Sequence, residues 1–440
     1  MPRLSERLAL HRPELRAWAL YDWANSPFIT IVITAVFPIF FAKVAAAGMS
    51  ESEATSKFAI ASSISLAFIA LLSPVLGAIA DHAPIKKRFL AVFMSIGALA
   101  TASLALIGTG DWVLALVLFG IGQIGATGSF VFYDSLLPHL ARDDEMDRLS
   151  TAGYALGYLG GGLVLSLVLF AVTNPHAVGL PDTGAATRAG FVLVAVWWLA
   201  FAMPLFRRVP EPPIATGGAP RPRGAPLLRA SFGGLRVTFR ELRRFRQATL
   251  FMFAFLVYND GIGTIIKMAA IYGNEIGLEQ NTMIVAILIT QFIGIPCTFL
   301  FGQLAGRMGT KPSIYLGLAV YCVVSALGYF MTSPAHFYAL AILVGIVQGG
   351  VQALSRSLFA SMIPRARSSE MFALFGVFEK FAGIFGPGVF ALIKALTGSS
   401  RNGILSVVGF FVLGALLLAL VNVDEGRRAA RAADPEPVPS

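Results

Sequence analysis

Charge is what this sequence most lacks. Only 13% of its 440 residues are Asp, Glu, Lys or Arg, whereas soluble domains carry about 25%. So few charges cannot cover a water-exposed surface, and 56% of the chain is hydrophobic. That excludes an ordinary soluble protein and leaves an integral membrane protein. Cysteine is nearly absent too. Cys297 and Cys322 sit in apolar runs, with no metal spacing and no disulfide framework. The five histidines (His11, His82, His139, His176, His336) fall in loops or at the ends of apolar runs and form no metal cluster. The chain has no P-loop, HExxH or GxSxG, which argues against ATP-driven transport and against the commonest hydrolase chemistries. One GxGxxG occurs, Gly120 to Gly125, but it lies within an apolar run with no strand before it, so nucleotide binding is not expected. No metal, cofactor or enzymatic activity is expected.

Apolar runs of about 20 residues fit a hydrocarbon core of ~30 Å. Such runs lie near 18–43, 57–80, 89–109, 112–137, 151–172 and 189–206, then near 248–272, 282–305, 312–332, 337–363, 371–396 and 403–422. The expected fold is an all-α membrane protein of twelve transmembrane helices. Residues 1–206 form one six-helix half and 248–423 the other. Between them, 207–247 reads as a Pro-, Gly- and Arg-rich cytoplasmic linker. Its end, with Leu235, Phe239, Leu242 and Phe245 on one face, could lie on the membrane as an interfacial helix. Residues 424–440 read as a disordered tail. The mixed-charge N-terminus lacks a signal-peptide core, so the first span is expected to be retained.

The net charge of +10 invites a nucleic-acid reading, but its placement argues otherwise. Of the 34 basic residues, 26 fall in segments on one side of this topology and four on the other. That is a positive-inside pattern and puts both termini in the cytoplasm, as in a multi-pass protein of a bacterial inner membrane. The expected partners are the bilayer, a small-molecule substrate and a proton, with no nucleic acid, and the protein is expected to be monomeric.

The halves repeat. Gly77, Asp81 and Lys86 follow the second span; Gly302, Gly306 and Lys311 follow the eighth, each 225 residues later. Gly120-Ile121-Gly122-Gln123 in the fourth span matches Gly345-Ile346-Val347-Gln348 in the tenth at the same offset. An even-numbered repeat keeps one orientation, as in the parallel duplication of major facilitator transporters. The loop Gly77-Ala-Ile-Ala-Asp81-His-Ala-Pro-Ile-Lys86-Lys87-Arg88 resembles that superfamily's signature, although His82 and Pro84 depart from it. Two stretches carry a narrower likeness: Tyr21-Asp22-Trp23-Ala24-Asn25-Ser26-Pro27-Phe28, and Gln352-Ala353-Leu354-Ser355-Arg356-Ser357-Leu358-Phe359 continuing to Glu379-Lys380-Phe381 and Gly386-Pro387. Both resemble the vacuolar-effluxer-like (autophagy-related) family. The resemblance implies secondary transport, and its fungal members are associated with amino-acid efflux.

Ionisable groups inside a span cost roughly 2.5–3.5 kcal/mol each at a helix centre, which makes them functional candidates. The deep ones here are Asp260, Arg356, Glu379 and Lys380, all in the second half. Asp260 or Glu379 could bind a cation or a proton. Arg356 or Lys380 could hold a carboxylate or neutralise that acid. Lys267 lies seven residues beyond Asp260 on roughly the same face and could snorkel outward. The first half offers Asp22 and Asn25 at the start of the first span, and Gln123, matched by Gln348, as amides that could face a cavity. Asp81, Lys86, Lys87, Arg88 and Asp134 are candidates for a gate at the cytoplasmic ends. The equipment suits a secondary transporter of a small anion or zwitterion, such as an amino acid, working by symport or efflux and coupled to protons. The competing reading is a lipid or lysolipid carrier on the same fold.

Overall fold

The computed structural model describes residues 4–213, 244–275, 277–383 and 385–434. Twelve helices among them are long and apolar enough to cross a membrane. The first six are Pro13–Ala45, Ser52–Asp81, Lys86–Leu106, Trp112–Leu140, Met146–Thr173 and Thr183–Arg208. The second six are Arg246–Met268, Asn281–Met308, Thr310–Tyr329, Pro334–Ser361, Arg365–Thr397 and Ser400–Ala419. The expected spans are recovered in order.

Local chemistry sets the ends. Ser50, Asp182 and Ser333 each accept a hydrogen bond from the backbone N–H three residues on, and so cap the second, sixth and tenth spans. Pro334 follows its cap at the first helical position, where a missing N–H costs nothing. Two spans are irregular. The first widens to a π-helix at Phe28–Ala35, directly after Pro27, and again at Phe41–Ala45, after Pro38. The eleventh is not the single helix expected over 371–396. It stops at Phe381 and resumes at Phe385, with Gly383 at φ +98° between.

Both described ends of the chain meet one loop. Arg12 Nη2 donates to Leu140 O (2.9 Å) and Glu145 Oε2 (2.8 Å), and Arg431 pairs with Asp143. We call this side the termini face. Burial alone would raise the Glu145 carboxyl, but the Arg142 backbone N–H and the Arg12 and Arg142 guanidiniums outweigh it and hold the pKa below its usual value.

The expectation of a disordered tail over 424–440 is corrected for its first part. Val423–Ala433 is a helix, because Asn422 accepts from Glu425 N (3.0 Å) and Gln247 holds the Glu425 carboxylate (2.8 Å). Gly426 packs under Met362. The interfacial helix expected at the end of the linker lies mostly outside the described residues.

The 225-residue repeat is visible as geometry. A Cβ at Gly77 would lie 2.6 Å from the Ser369 carbonyl oxygen, so the second span runs against the start of the eleventh. A Cβ at Gly302 would collide with Thr151, so the eighth runs against the start of the fifth. The matched glycines therefore make the two equivalent crossings between halves. Within the halves, Gly120 abuts Ser65 and Gly345 abuts Thr290, again at one offset. Gly125 lies against the Gly97 backbone. The GxGxxG is thus a helix-packing surface, as small residues in membrane helices usually are.

Candidate functional site

The best-defined polar site lies between the halves, towards the termini face. Arg356, on the tenth span and 4% exposed, reaches into the first half. Its Nη2 pairs with Asp22 Oδ2 and its Nη1 with Asp134 Oδ1, both at 3.1 Å. Nε donates to Ser150 Oγ (2.9 Å) and Nη2 to the Ser150 carbonyl (3.0 Å). Three rings surround the guanidinium: Tyr154 at 4.5 Å, Trp18 at 4.8 Å and Tyr133 at 5.6 Å from its carbon. Trp18 stacks on Tyr133 and donates to its carbonyl oxygen (3.0 Å), which fixes the cage. One cation faces two carboxylates in a buried seam. The aromatic faces add cation–π attraction, and with both acids ionised the site carries one excess negative charge.

On sequence Arg356 could hold a carboxylate or neutralise Asp260 or Glu379; the structure pairs it with Asp22 and Asp134 of the other half. Asp260 is elsewhere: its carboxylate accepts from Gly383 N and from Gly386 N (2.7 Å) at the break in the eleventh span.

Asp134 also opens on a cavity between the second, fourth and eleventh spans. Ser73, Thr127 and Phe375 line it, and so do Glu379 and Lys380, which pair with each other at 2.8 Å. Lys380 is 23% and Glu379 40% exposed at the side chain, so this pair, unlike Arg356, is only partly covered by protein.

The remaining candidates separate. Asp81 accepts from the backbone N–H groups of Ser369 (3.1 Å) and Glu370 (2.8 Å) at the start of the eleventh span. Lys86 pairs with Asp81 (2.8 Å) and donates to Ser368 Oγ (2.7 Å). Lys87 turns back within its own half to the carbonyls of Phe206 (2.9 Å) and Val209 (2.6 Å). Arg88 is exposed. Gln123 exchanges hydrogen bonds with Ser62 (3.2 Å), and Gln348 is half-buried. Asn25 is 2% exposed, and its Nδ2 has no hydrogen-bond partner among the described residues.

Asp147 was not singled out from sequence. At the start of the fifth span it reads as a first-turn acid. In the structure it accepts from Thr310 Oγ1 (2.6 Å) and Ser357 Oγ, both in the other half. With Ser150 donating to Ala353 O (2.7 Å) and Ser369 to Ser135 Oγ (3.2 Å), it completes a seam at the termini face. Among the described residues, hydrogen bonds between the halves extend only to Gln291–Thr30 (3.1 Å), about halfway along the first span. The halves are closed at the termini face.

Residues 10–431 match the family model described as "Vacuole effluxer Atg22 like". The chain belongs to the Atg22-like vacuole effluxer family. An uncharacterized MFS-type transporter of Bacillus subtilis (strain 168), YxiO, is 35% identical to this chain over 414 residues, covering 92% of this chain and 94% of the relative. The autophagy-related protein 22-1 of Phaeosphaeria nodorum is 26% identical, covering 80% and 73%. The fold of this Atg22-like chain is that of the major facilitator superfamily. The proton:xylose symporter XylE, solved with 6-bromo-6-deoxy-D-glucose, matches with a TM-score of 0.69 at 16% identity, over 98% of this chain and all of that one. The transporter FucP in its outward conformation matches with a TM-score of 0.66 at 12% identity, over 93% and 100%. The Atg22-like chain is therefore a multi-pass membrane transporter of major facilitator type and not an enzyme.

Proposed function

We propose that this transporter moves a small zwitterionic or anionic solute, of the amino-acid class, by alternating access coupled to protons. The observation that carries the reading is Arg356 clamped between Asp22 and Asp134 across the two halves. The bridge ties the halves together at the termini face. With both acids ionised, the closed seam buries one carboxylate more than its single cation balances, and an uncompensated buried charge costs several kcal/mol. A proton on Asp134, which opens to the cavity, cancels that excess and leaves Arg356 paired with Asp22, so protonation favours the closed seam. Loss of the proton favours separation of the halves at the termini face, by enough to shift a two-state equilibrium.

Glu379 and Lys380 supply one partly exposed acid and one partly exposed ammonium beside the bridge. Lys380 suits a solute carboxylate, and Glu379 a solute amine. A zwitterion satisfies both and releases them from each other. Asp81 and Lys86 reinforce the closed face by holding the start of the eleventh span. The bias of basic residues supports a cytoplasmic termini face in a bacterial inner membrane, with the cavity then served from outside.

Proteoliposome exchange with a panel of neutral and acidic amino acids, short peptides, sugars and lysolipids tests this, with and without a pH gradient. The expected result is zwitterion flux driven by the gradient and lost in Arg356→Ala with expression retained. Flux indifferent to the gradient removes the coupling. Flux of lysolipids alone replaces the reading with a lipid carrier.

A further inference from the structure

Span eleven is broken about halfway along its length, between Phe381 and Phe385, and the seventh span packs against the break. A helix interruption there frees backbone groups that lipid cannot satisfy. Asp260 lies about 21 Å along the seventh span from Arg246, at a rise of 1.5 Å per residue. Its two carboxylate oxygens accept from Gly383 N and Gly386 N. Lys267, seven residues on, donates to the Gly383 carbonyl (3.2 Å). Between them, Gly263 comes within van der Waals reach of Gly383, and Gly386 is so close to Thr264 that any Cβ would collide. Residues 260, 263, 264 and 267 form one stripe on the helix. The acid serves the freed N–H groups and the ammonium serves the freed carbonyl.

The last turn before the break carries Glu379 and Lys380. We propose that Asp260 and Lys267 are positioning residues: a charged clasp that fixes the break and thereby presents Glu379 and Lys380 to the cavity. Asp260 is then not itself a solute or proton contact, because both its oxygens are committed to backbone. The clasp rests on the reading of Glu379 and Lys380 as solute groups only for its purpose. Its geometry can be tested without transport.

The test uses the full chain with Cys297→Ser and Cys322→Ser, and a reporter cysteine at Lys380→Cys. A membrane-impermeant methanethiosulfonate measures its labelling rate in purified protein. Thr127→Cys, on the cavity wall of the other half, is the control reporter. Asp260→Ala is expected to change labelling at position 380 by tenfold or more and at 127 by less than twofold. Asp260→Asn keeps one acceptor and is expected to give an intermediate rate. Lys267→Met is expected to shift position 380 in the same direction, and Asp260→Asn with Lys267→Met no further than the larger single effect. An unchanged rate at 380 in well-folded Asp260→Asn and Lys267→Met overturns the clasp. Parallel changes at 127 and 380 also overturn it, since they show a general loosening of the halves. Loss of proton-driven flux in the liposome assay bears on the proposed coupling and leaves these labelling outcomes untouched.

Discussion

Removing the Arg356 guanidinium should unlock the termini face. The side chain makes four hydrogen bonds, two of them to carboxylates, in a seam where it is 4% exposed. Arg356→Ala strands Asp22 and Asp134 facing one another without a cation. Breaking a buried pair from one side costs roughly 3–5 kcal/mol. Most of that burden falls on the closed state, because separation of the halves lets both carboxylates hydrate. A bias of about 3 kcal/mol changes a two-state ratio by about 150-fold. The assay is a disulfide across the seam. Ser135 and Ser369 have hydroxyl oxygens 3.2 Å apart, one in each half. Cysteines there, with Cys297 and Cys322 replaced by serine, should oxidise to a disulfide rapidly in the parent. Arg356→Ala should slow the reaction at least tenfold. Asp22→Asn with Asp134→Asn and Arg356→Met removes all three charges and should restore most of the rate, since no carboxylate is left unpaired. An undiminished rate in Arg356→Ala would refute the reasoning, as would an equal loss in the uncharged triple variant.

Further outcomes follow from single sites. Gly302→Val pushes a side chain into Thr151 at the crossing of the fifth and eighth spans and should cost about 1–3 kcal/mol by overpacking. Gly306→Ala, with nothing within 4 Å, should stay within about 0.5 kcal/mol; equal melting temperatures for the two variants would contradict the packing. Asp147→Leu takes the acceptor from Thr310 Oγ1 and leaves Ser357 Oγ only its bond to Leu354 O (3.1 Å). It should slow the same Ser135–Ser369 disulfide, at about 1–3 kcal/mol for the stranded Thr310 hydroxyl, and Asp147→Asn should slow it less. Glu145 titrates below its unfolded value, so its contribution is present above the unfolded pKa, roughly 4.3, and lost as pH falls through the folded one. Acidification should therefore release the N-terminal segment held through Arg12. Amide exchange of residues 4–12 should rise with acid in the parent and lose that step in Glu145→Gln.

Much of the fold was legible because a bilayer imposes a length. Runs such as 89–109 and 282–305 need no tertiary information to read as spans. The 225-residue repeat was also legible, since Gly77 and Gly302 are kept where the halves cross. The site was half legible. Arg356, Asp22 and Asp134 each stood out as charges within or near a span, but nothing local told which acid Arg356 would meet. Its partner Asp22 is 334 positions away. The depth of Asp260 is legible in the sequence and its surroundings are not, because its hydrogen-bond partners are backbone amides of another span. Asp147 was missed, since an acid in a first turn looks like an ordinary response to the helix dipole.

By itself the sequence determined that the chain spans a membrane twelve times, that it is two related sixes, and that its ionisable groups are few enough to name. Those follow from the cost of placing charge and free backbone groups in hydrocarbon, which acts on each segment separately. Only the tertiary structure decided which charges neutralise which, where the eleventh span breaks, and that the seam closes at the termini face. These are properties of pairs of distant segments. Burial makes such a pairing strong, and packing of the halves, rather than any local pattern, chooses the partner.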